Sequence, residues 1–542
     1  MQRNYILALI SAFLLWLAWP PTHYTAPLLL VAFVPLLRAV ENIIQTDVKK
    51  KGKRIFWLAF MSFFIWNTAC IYWVFNSLSA VNPTWVASLI SLVPFSLAAI
   101  LMTLAFWLYY RLRRVTSRVM SYAGLVCFWI GYEYLHQTWD LAFPWMTLGN
   151  GFAQSHSLIQ WYEYTGVYGG TLWVLIANIL AFDLSSQDEN TPAGYALKKK
   201  LTLILAAWVL IPISVSLVIY SRYKENQNPA NVVVVQPNID PYDRWRTIPA
   251  YEQVQTLMRL SDSVGQPNTE YFIWPETSIP EMIEENSIRS NPHFLTVQSF
   301  LSKYKNGNVL SGIESYQLYD TARTPTARFV ERLGKYSDYF NAAVNIENSS
   351  RVQFYHKSKL VPGAEQLPFA SALSFLKPVF AAFGGSSGGF GRQDKPSVFY
   401  AQSGMGVAPV ICYESIWGEY VGECVRQGAQ FIAIITNDGW WGNTSGKDQH
   451  MDYAKLRAIE TRRWVARSAN TGISGFINQR GDITKKSEWW VTTALKEDIN
   501  LNEEMTFYVQ YGDYIAKAGS VGGLIFFILL LVRGYQRKSQ LN

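Results

Sequence analysis

The segment Pro409-Val410-Ile411-Cys412-Tyr413-Glu414 is an apolar run that ends in a cysteine, a tyrosine and a glutamate. An uninterrupted apolar run of this length is typical of a strand that is buried on both faces. Functional groups of α/β sheets collect just beyond the ends of such strands. Cys412 therefore occupies a position suited to a nucleophile, although a free cysteine there also fits a packed core residue.

Two other predicted strands end in charged residues. The run Phe272-Ile273-Trp274-Pro275-Glu276 stops at a proline and a lone carboxylate, and residues 355–362 (YHKSKLVP) carry two lysines. A thiol, a carboxylate and an ammonium are what acyl transfer through a thioester requires, for attack, proton transfer and oxyanion stabilisation. A turn glutamate and solvated lysines would explain the same residues, so residue type alone leaves both interpretations open.

The region around these segments, residues 225–515, alternates strand-like and helix-like patterns. Strands are predicted at Asn231–Gln236, Tyr271–Trp274, Asn308–Ile313, Asn341–Ile346, Val407–Ile411 and Phe431–Thr436. Helices are predicted at Ala250–Ser263 and Asp448–Arg467. This alternation indicates a layered α/β fold. Gly384–Gly391 (GGSSGGFG) is a flexible loop by composition and a hypothetical lid.

Apolar runs dominate the chain before this region, and one more follows it. They cover residues 4–20, 25–40, 55–79, 86–110, 119–137, 165–184, 201–221 and 518–532. A bilayer needs roughly 20 apolar residues per helix, so these runs predict eight membrane spans. The second is the weakest, because Pro27 and Pro35 interrupt it. Hydrophobic residues make up 50% of the chain and charged residues 16%, which favours a chain that is part membrane and part water-soluble.

Basic residues cluster in alternate loops between these runs. The clusters are residues 49–54, 111–118 and 198–200, with Arg533, Arg537 and Lys538 after the last run. The positive-inside rule then predicts cytoplasmic termini and an external domain. The predicted domains are a seven-helix bundle (1–224), the α/β domain (225–515) and a closing helix with its tail (516–542). A net charge of +8 spread over loops does not indicate a nucleic-acid groove.

The four cysteines are Cys70, Cys127, Cys412 and Cys424. No CxxC pair or Cys/His cluster is present, so the sequence predicts neither a zinc site nor a disulfide framework. We predict no cofactor.

Three motifs, in order, resemble the carbon–nitrogen hydrolase (nitrilase) superfamily and its Glu-Lys-Cys triad: WPE at 274–276, YHKSKLVPGAE at 355–365 and VICYE at 410–414. Seven spans before this domain and one after it resemble the apolipoprotein N-acyltransferase branch. That branch is also matched by residues 143–145 (FPW), 236–238 (QPN) with Trp245, and 436–441 (TNDGWW). The resemblance implies eight transmembrane helices and an α-β-β-α sandwich.

The resemblance also implies roles for single residues. Glu276 matches the general base and Cys412 the nucleophile. Lys357, rather than Lys359, matches the catalytic lysine, because it follows a tyrosine segment and lies eight residues before Glu365.

Four further residues are assigned in the same way. Glu365 resembles a second acid, Tyr413 and Glu414 a supporting pair, and Trp245 an aromatic at the acyl entrance. The family's LVPFGE loop is replaced here by LVPGAE at residues 360–365, which keeps the register of the glutamate but changes the loop.

The implied reaction moves a fatty acyl chain from a membrane phospholipid to the α-amino group of the N-terminal diacylglyceryl-cysteine of apolipoproteins. It is expected at the periplasmic side of a bacterial inner membrane, by a ping-pong course through a thioester on Cys412. We expect the pKa of Cys412 to be lowered by the charge of Lys357.

Two alternatives stay open at this point. One is a membrane-tethered amidase that uses the same triad with water as acceptor. The other is a non-enzyme, such as a transporter with a degenerate domain, against which the intact triad argues.

Overall fold

The computed structural model describes residues 2–22, 24–78, 84–242, 247–370 and 389–539. The chain divides into two compact units. A helical unit combines Met1–Leu78, Asn82–Arg222 and Asp513–Asn542, and an α/β unit is built on Tyr223–Gly512.

Each apolar run of the sequence falls on a helix of the helical unit. The helices are α1 Gln2–Leu17, α2 Val34–Gln45, α3 Lys51–Ile71, α4 Thr84–Arg113, α5 Arg118–Thr138, α6 Tyr162–Leu184, α7 Pro192–Arg222 and, at the end of the chain, α13 Tyr514–Ser539. The second run is divided into a 3₁₀ turn, Ala26–Leu30, and α2. Its two prolines lie at the first positions of these elements, where no backbone N–H donor is needed.

Within the described residues, six helical segments are long and apolar enough to cross a bilayer. They are Ala26–Gln45, Lys51–Leu78, Thr84–Arg113, Tyr162–Leu184, Pro192–Arg222 and Tyr514–Gln536. Helix α1 is apolar but shorter, and α5 is not in this set. Several candidate spans are therefore present, while the number eight stays a prediction.

Helix α5 carries a buried carboxylate, Glu133, in the interior of the helical unit. It accepts hydrogen bonds from Trp129 Nε1 (2.9 Å), Leu148 N (2.9 Å) and Thr171 Oγ1 (2.8 Å). Since a buried carboxylate is costly unless it is hydrogen-bonded, these donors explain how the helical unit accommodates Glu133.

The α/β unit contains two sheets. The strands of the first sheet are β1 Pro229–Gln236, β2 Thr269–Ile273, β3 Ile279–Glu284, β4 Asn308–Tyr319, β5 Arg328–Val330, β6 Lys335–Glu347, β7 Val352–His356 and β14 Thr493–Asn500. Those of the second are β8 Phe399–Tyr400, β9 Gly406–Ile411, β10 Phe431–Thr436, β11 Val465–Ala469, β12 Gly475–Ile477 and β13 Ile483–Lys486. The first sheet has the order β14-β1-β2-β4-β6-β5, with β3 on β4 and β7 on β6, and the second has the order β13-β12-β11-β10-β9-β8.

The parallel core of each sheet accounts for the apolar runs. In the first sheet β1, β2 and β4 are parallel, and in the second β9, β10 and β11 are parallel. Val232 and Val234 face a core shared with Ile411 of the second sheet. Val233 and Val235 face the opposite core. An uninterrupted valine run thus results from a strand that is covered on both faces.

Helices cover the outer face of each sheet. Two of them, α8 Ala250–Val264 and α9 Pro292–Leu301, contribute to the outer core of the first sheet. The helices α10 Gly418–Arg426 and α11 Ser445–Thr461 contribute to that of the second, and α12 is the short helix Phe507–Tyr511. The layers run helix, sheet, sheet, helix, and the predicted α/β class is confirmed.

One predicted helix is too long. The prediction Asp448–Arg467 ends in the structure at Thr461, because Arg462 adopts a left-handed conformation (φ 49°). Residues Val465–Ala469 instead form β11, which pairs in parallel with β10. The pairing partner lies about thirty residues earlier in the chain, so no local pattern specifies it.

Candidate active site

Glu276, Lys357 and Cys412 each follow the end of a strand in the α/β unit. Glu276 comes after β2, Lys357 directly after β7 and Cys412 directly after β9. β2 and β7 belong to the first sheet, and β9 belongs to the second. The inner faces of the two sheets share one core, against which Cys412 also packs. The tertiary fold therefore collects segments that are far apart in sequence.

The lysine lies between two carboxylates. Lys357 Nζ is 2.8 Å from Glu365 Oε1 and 3.4 Å from Glu276 Oε1. Asn341 Nδ2 donates to the same two oxygens, at 2.9 Å to Glu276 and 2.8 Å to Glu365. The Asn341 carbonyl also accepts the Lys357 backbone N–H at 2.9 Å. Asn341 thus fixes both acids and the lysine, and the sequence analysis did not identify it as a site residue.

The backbone of β4 packs closely against the Glu276 turn. Gly312 N donates to Pro275 O (3.1 Å), and Gly312 O accepts from Ser278 N (2.8 Å). A Cβ at position 312 would lie 2.6 Å from Glu276 Cα and 2.5 Å from Thr277 N. Only glycine allows this approach, so Gly312 sets the position of the carboxylate.

The two lysines of the 355–362 segment occupy different surroundings. Burial by itself would lower the pKa of Lys357, but the charges of Glu365 and Glu276 raise it overall. Lys359 lies instead over the rings of Trp417 (5.9 Å) and Tyr420 (5.4 Å), and burial lowers its pKa. Lys357 is therefore the cation at the carboxylates, and it is held in the charged form.

Cys412 is half-buried and has a φ of 50°, in the left-handed region that a residue with a side chain rarely adopts. Its carbonyl accepts a hydrogen bond from Ser415 Oγ (2.8 Å) and lies 3.2 Å from His450 Nε2. Strained conformations of this kind persist only where the surroundings over-determine them, and they concentrate at functional sites. The strain and its anchors mark the turn after β9 as specialised.

The pKa of the Cys412 thiol is raised, which contradicts the expected lowering. Burial is the main cause; the charge of Glu276 adds to it, and the charge of Lys357 opposes it without reversing it. Burial disfavours the charged thiolate, and the favourable charge of Lys357 does not compensate for this cost. A raised pKa favours the protonated form of the Cys412 thiol near neutral pH.

Glu414 connects the turn at Cys412 to the segment that bears Lys357 and Lys359. Its carboxylate accepts from Ile411 N (2.9 Å), Ser358 N (2.7 Å), Lys359 N (3.2 Å) and the Tyr355 hydroxyl (2.5 Å). Burial raises the pKa of Glu414, and these donors oppose the rise. Glu414 thus tethers two backbone segments.

Tyr413, its predicted companion, is buried and packs edge-on against Trp417 at 4.8 Å.

A second buried network lies behind Cys412. His450 Nε2 is 2.9 Å from Ser415 Oγ, and His450 Nδ1 is 3.0 Å from Asp438 Oδ1. Arg467 Nη2 donates to Asp438 Oδ2 at 2.6 Å. Asp438 belongs to the TNDGWW motif noted in the sequence, but His450 and Arg467 carry no local signal that links them to Cys412.

Two predictions fall on residues that the structure does not describe. Trp245 lies within 243–246, outside the described ranges, and of the hypothetical lid Gly384–Gly391 only 389–391 are described. Across the described ranges, no group of three or more His, Cys, Asp or Glu side chains could hold a metal ion.

Comparisons with known proteins match both parts of the chain. A model of the apolipoprotein N-acyltransferase N-terminal domain matches residues 11–180, and the carbon-nitrogen hydrolase model matches residues 231–505. The apolipoprotein N-acyltransferase of Chlorobaculum tepidum is 29% identical over 95% of this chain and 94% of its own length. That of Geobacter metallireducens is 26% identical over 99% of this chain and 96% of its own.

Among solved structures, Saccharomyces cerevisiae Nit3, a member of branch 10 of the nitrilase superfamily, aligns at 13% identity with a TM-score of 0.35. The alignment covers 51% of this chain and 92% of that one. The family assignment depends on the sequence matches instead. They confirm the resemblance that the three motifs indicated, and the chain belongs to the carbon-nitrogen hydrolase family, with an N-terminal domain of the apolipoprotein N-acyltransferase type.

Proposed function

We propose that this chain transfers a fatty acyl chain from a membrane phospholipid to the α-amino group of the N-terminal diacylglyceryl-cysteine of apolipoproteins. The observation that carries the proposal is the convergence of Glu276, Lys357 and Glu365 within hydrogen-bonding distance, in a chain that also has several candidate membrane spans. Relatives that align over nearly the whole chain are named apolipoprotein N-acyltransferases.

In the first half-reaction Cys412 Sγ attacks the ester carbonyl of the phospholipid, and Glu276 accepts the thiol proton as the C–S bond forms. Lys357 Nζ stabilises the oxyanion. The C–O ester bond breaks, and the leaving alkoxide takes the proton from Glu276. The products are a lysophospholipid and a thioester on Cys412.

In the second half-reaction the lipoprotein amine attacks the thioester carbonyl. Glu276 takes a proton from the amine, the C–S bond breaks, and the proton returns to the Cys412 sulfur. The product is an amide, so the enzyme is regenerated without any cofactor.

The raised pKa of Cys412 supports this general-base course over a resident thiolate. Glu365 is proposed to keep Lys357 charged and in place. Glu414 and Tyr413 are proposed to position the turn that bears Cys412, and Trp245 to border the acyl entrance.

The proposed organisation is a bundle of seven transmembrane helices (1–224), a periplasmic nitrilase-like catalytic domain (225–515), and an eighth transmembrane helix with a cytoplasmic tail (516–542). Both substrates are lipids that leave a bilayer at a cost of about 0.8 kcal/mol per CH₂. A catalytic domain tethered at the surface of a bacterial inner membrane suits them.

Intact mass spectrometry of the full chain after incubation with phospholipid tests the proposal. We expect a mass increase of one fatty acyl group that is removed by hydroxylamine and is absent in Cys412→Ala. Cys424→Ala is the matched control, because Cys424 is a free, fully buried thiol of the outer core, and it should still acylate. Transfer to a lipopeptide without any acylated protein would contradict the mechanism.

The membrane-tethered amidase, which uses the same triad with water, makes a different prediction in this experiment. The acylated protein should then release free fatty acid at the same rate with or without a diacylglyceryl lipopeptide. For an N-acyltransferase, loss of the thioester should depend on the lipopeptide, and an N-acylated peptide should appear.

A further inference from the structure

The helical unit contains a cavity of about 550 Å³ where α3 begins and α4 ends. It is lined by Val48, Lys50, Lys51, Gly52, Lys53, Trp107, Tyr110, Arg111 and Arg114. A volume of this size suits a small molecule or a headgroup rather than a single ion. All of its lining residues belong to the helical unit, and none of them is a candidate active-site residue.

The charge of the lining is of one sign. It includes three lysines and two arginines and no acidic side chain. Lys50, Lys53, Arg111 and Arg114 are exposed. Cations at this density, without acids among the lining residues, indicate an anionic ligand.

The floor of the cavity is aromatic. Tyr110 is buried and Trp107 is half-buried. The Arg111 guanidinium lies over the Trp107 ring at 5.0 Å. A Cβ at Gly52 would be 3.2 Å from Tyr110 and 3.4 Å from Trp107, so the start of α3 lies close against these rings. The cavity therefore has a built floor, in addition to charges on its rim.

The position of the cavity indicates the source of the anion. α3 begins at Lys51 and α4 ends at Arg113, and both helices are long and apolar enough to cross a bilayer. The start of α3 and the end of α4 are thus expected at the level of the lipid headgroups, where tryptophan and tyrosine also concentrate. Basic pockets at such helix ends bind anionic lipid headgroups.

We propose that this cavity binds the phosphate-bearing headgroup of an anionic phospholipid, as a lipid site apart from the catalytic residues. The exposed cations contact the phosphate oxygens, and the aromatic floor packs against the glycerol region. Lys51 has a second role, because its ammonium donates to Ile44 O at 2.8 Å and so holds the preceding loop.

Native mass spectrometry of the delipidated full chain, with phosphatidylglycerol or phosphatidylcholine added, tests the proposal. Wild-type protein should retain phosphatidylglycerol over phosphatidylcholine. The triple variant Lys50→Gln, Lys53→Gln, Arg111→Gln should lose about tenfold or more in retention of phosphatidylglycerol. Lys51 is left in place in this variant, so that the loop before α3 is preserved.

The matched control removes three positive charges elsewhere in the same unit, with Lys198→Gln, Lys199→Gln and Lys200→Gln on α7. It should retain phosphatidylglycerol like the wild type. Equal losses in the two triple variants would overturn the proposal, because general positive charge would then account for binding. So would full displacement of the lipid by millimolar inorganic phosphate, which would indicate a site for free phosphate.

Discussion

Glu365 Oε1 lies 2.8 Å from Lys357 Nζ, closer than the 3.4 Å that separates this nitrogen from Glu276 Oε1. The proposed oxyanion donor is thus paired mainly with an acid that is not the proposed base. Glu365 Oε2 also accepts the Val361 backbone N–H at 2.7 Å, so the acid is held by its own loop. Glu276 is therefore the more loosely paired of the two carboxylates at Lys357.

Replacing Glu365 by glutamine should slow thioester formation by roughly 100-fold, because the position and charge of Lys357 would be less well defined. Single-turnover mass spectrometry of the acylated protein measures this rate. The matched control is Glu285→Gln, which removes another buried carboxylate of the same unit, paired with His356 at 2.6 Å. An unchanged rate of thioester formation in Glu365→Gln would show that Glu276 alone suffices to position Lys357 and to keep it charged.

Replacing Glu276 by glutamine should abolish acyl transfer and yet speed alkylation of Cys412 by iodoacetamide near pH 8. The negative charge of Glu276 contributes to the raised pKa of the thiol, so its removal lowers that pKa while Lys357 stays in place. Alkylation rates followed by peptide mass spectrometry measure the effect, with the fully buried Cys424 as an internal reference. Slower alkylation in the variant would mean that Glu276 deprotonates the resting thiol.

Replacing Asp438 by asparagine should destabilise the protein by roughly 3–5 kcal/mol at pH 7, since it leaves Arg467 buried without its carboxylate partner. Burial by itself would raise the pKa of Asp438, but the charge of Arg467 and the interaction with His450 lower it overall. A carboxyl whose pKa is lowered by folding stabilises the fold above its unfolded pKa of about 4, and this contribution is lost as the pH falls. The difference in the free energy of unfolding between the wild type and Asp438→Asn should therefore become smaller below about pH 4.

Thermal unfolding in detergent from pH 3 to pH 8 measures this difference. Asp262→Asn is the control, because Asp262 also has a lowered pKa but forms an exposed pair with Lys303. Exposed pairs contribute little, so this variant should unfold like the wild type at every pH. If the difference in stability between Asp438→Asn and the wild type grew as the pH fell, the assignment of the buried Asp438–Arg467 ion pair would be contradicted.

Replacing Gly312 by alanine should lower stability by about 1–3 kcal/mol and remove most acylation, because the new methyl group would displace the Glu276 turn. Gly422→Ala is the matched control, since its nearest neighbours are 3.9 Å from the added carbon. Acylation assays at a temperature where both variants are folded separate the two effects. Normal acylation in Gly312→Ala would show that the turn adapts without moving the carboxylate.

Much of this arrangement was predicted from local sequence. The alternation of strand-like and helix-like runs predicted the α/β class, and the resemblance of three motifs to the carbon–nitrogen hydrolase superfamily implied the triad of Glu276, Lys357 and Cys412. These signals are local because buried strands require consecutive apolar residues, and functional groups follow strand ends. The helical unit was predicted for the same reason, since a bilayer requires long apolar segments.

Only the tertiary structure decided the rest. The contacts that define the site join residues 24 to 65 positions apart, and no local pattern encodes them. They are those of Asn341 with the two acids, of His450 with Cys412 and of Gly312 with the Glu276 turn. The direction of the Cys412 pKa shift was predicted wrongly for the same reason, because it depends mainly on the burial of the thiol and then on the nearby charges of Glu276 and Lys357. The sequence by itself determined which groups are present, whereas packing determined their distances, their burial and so their protonation.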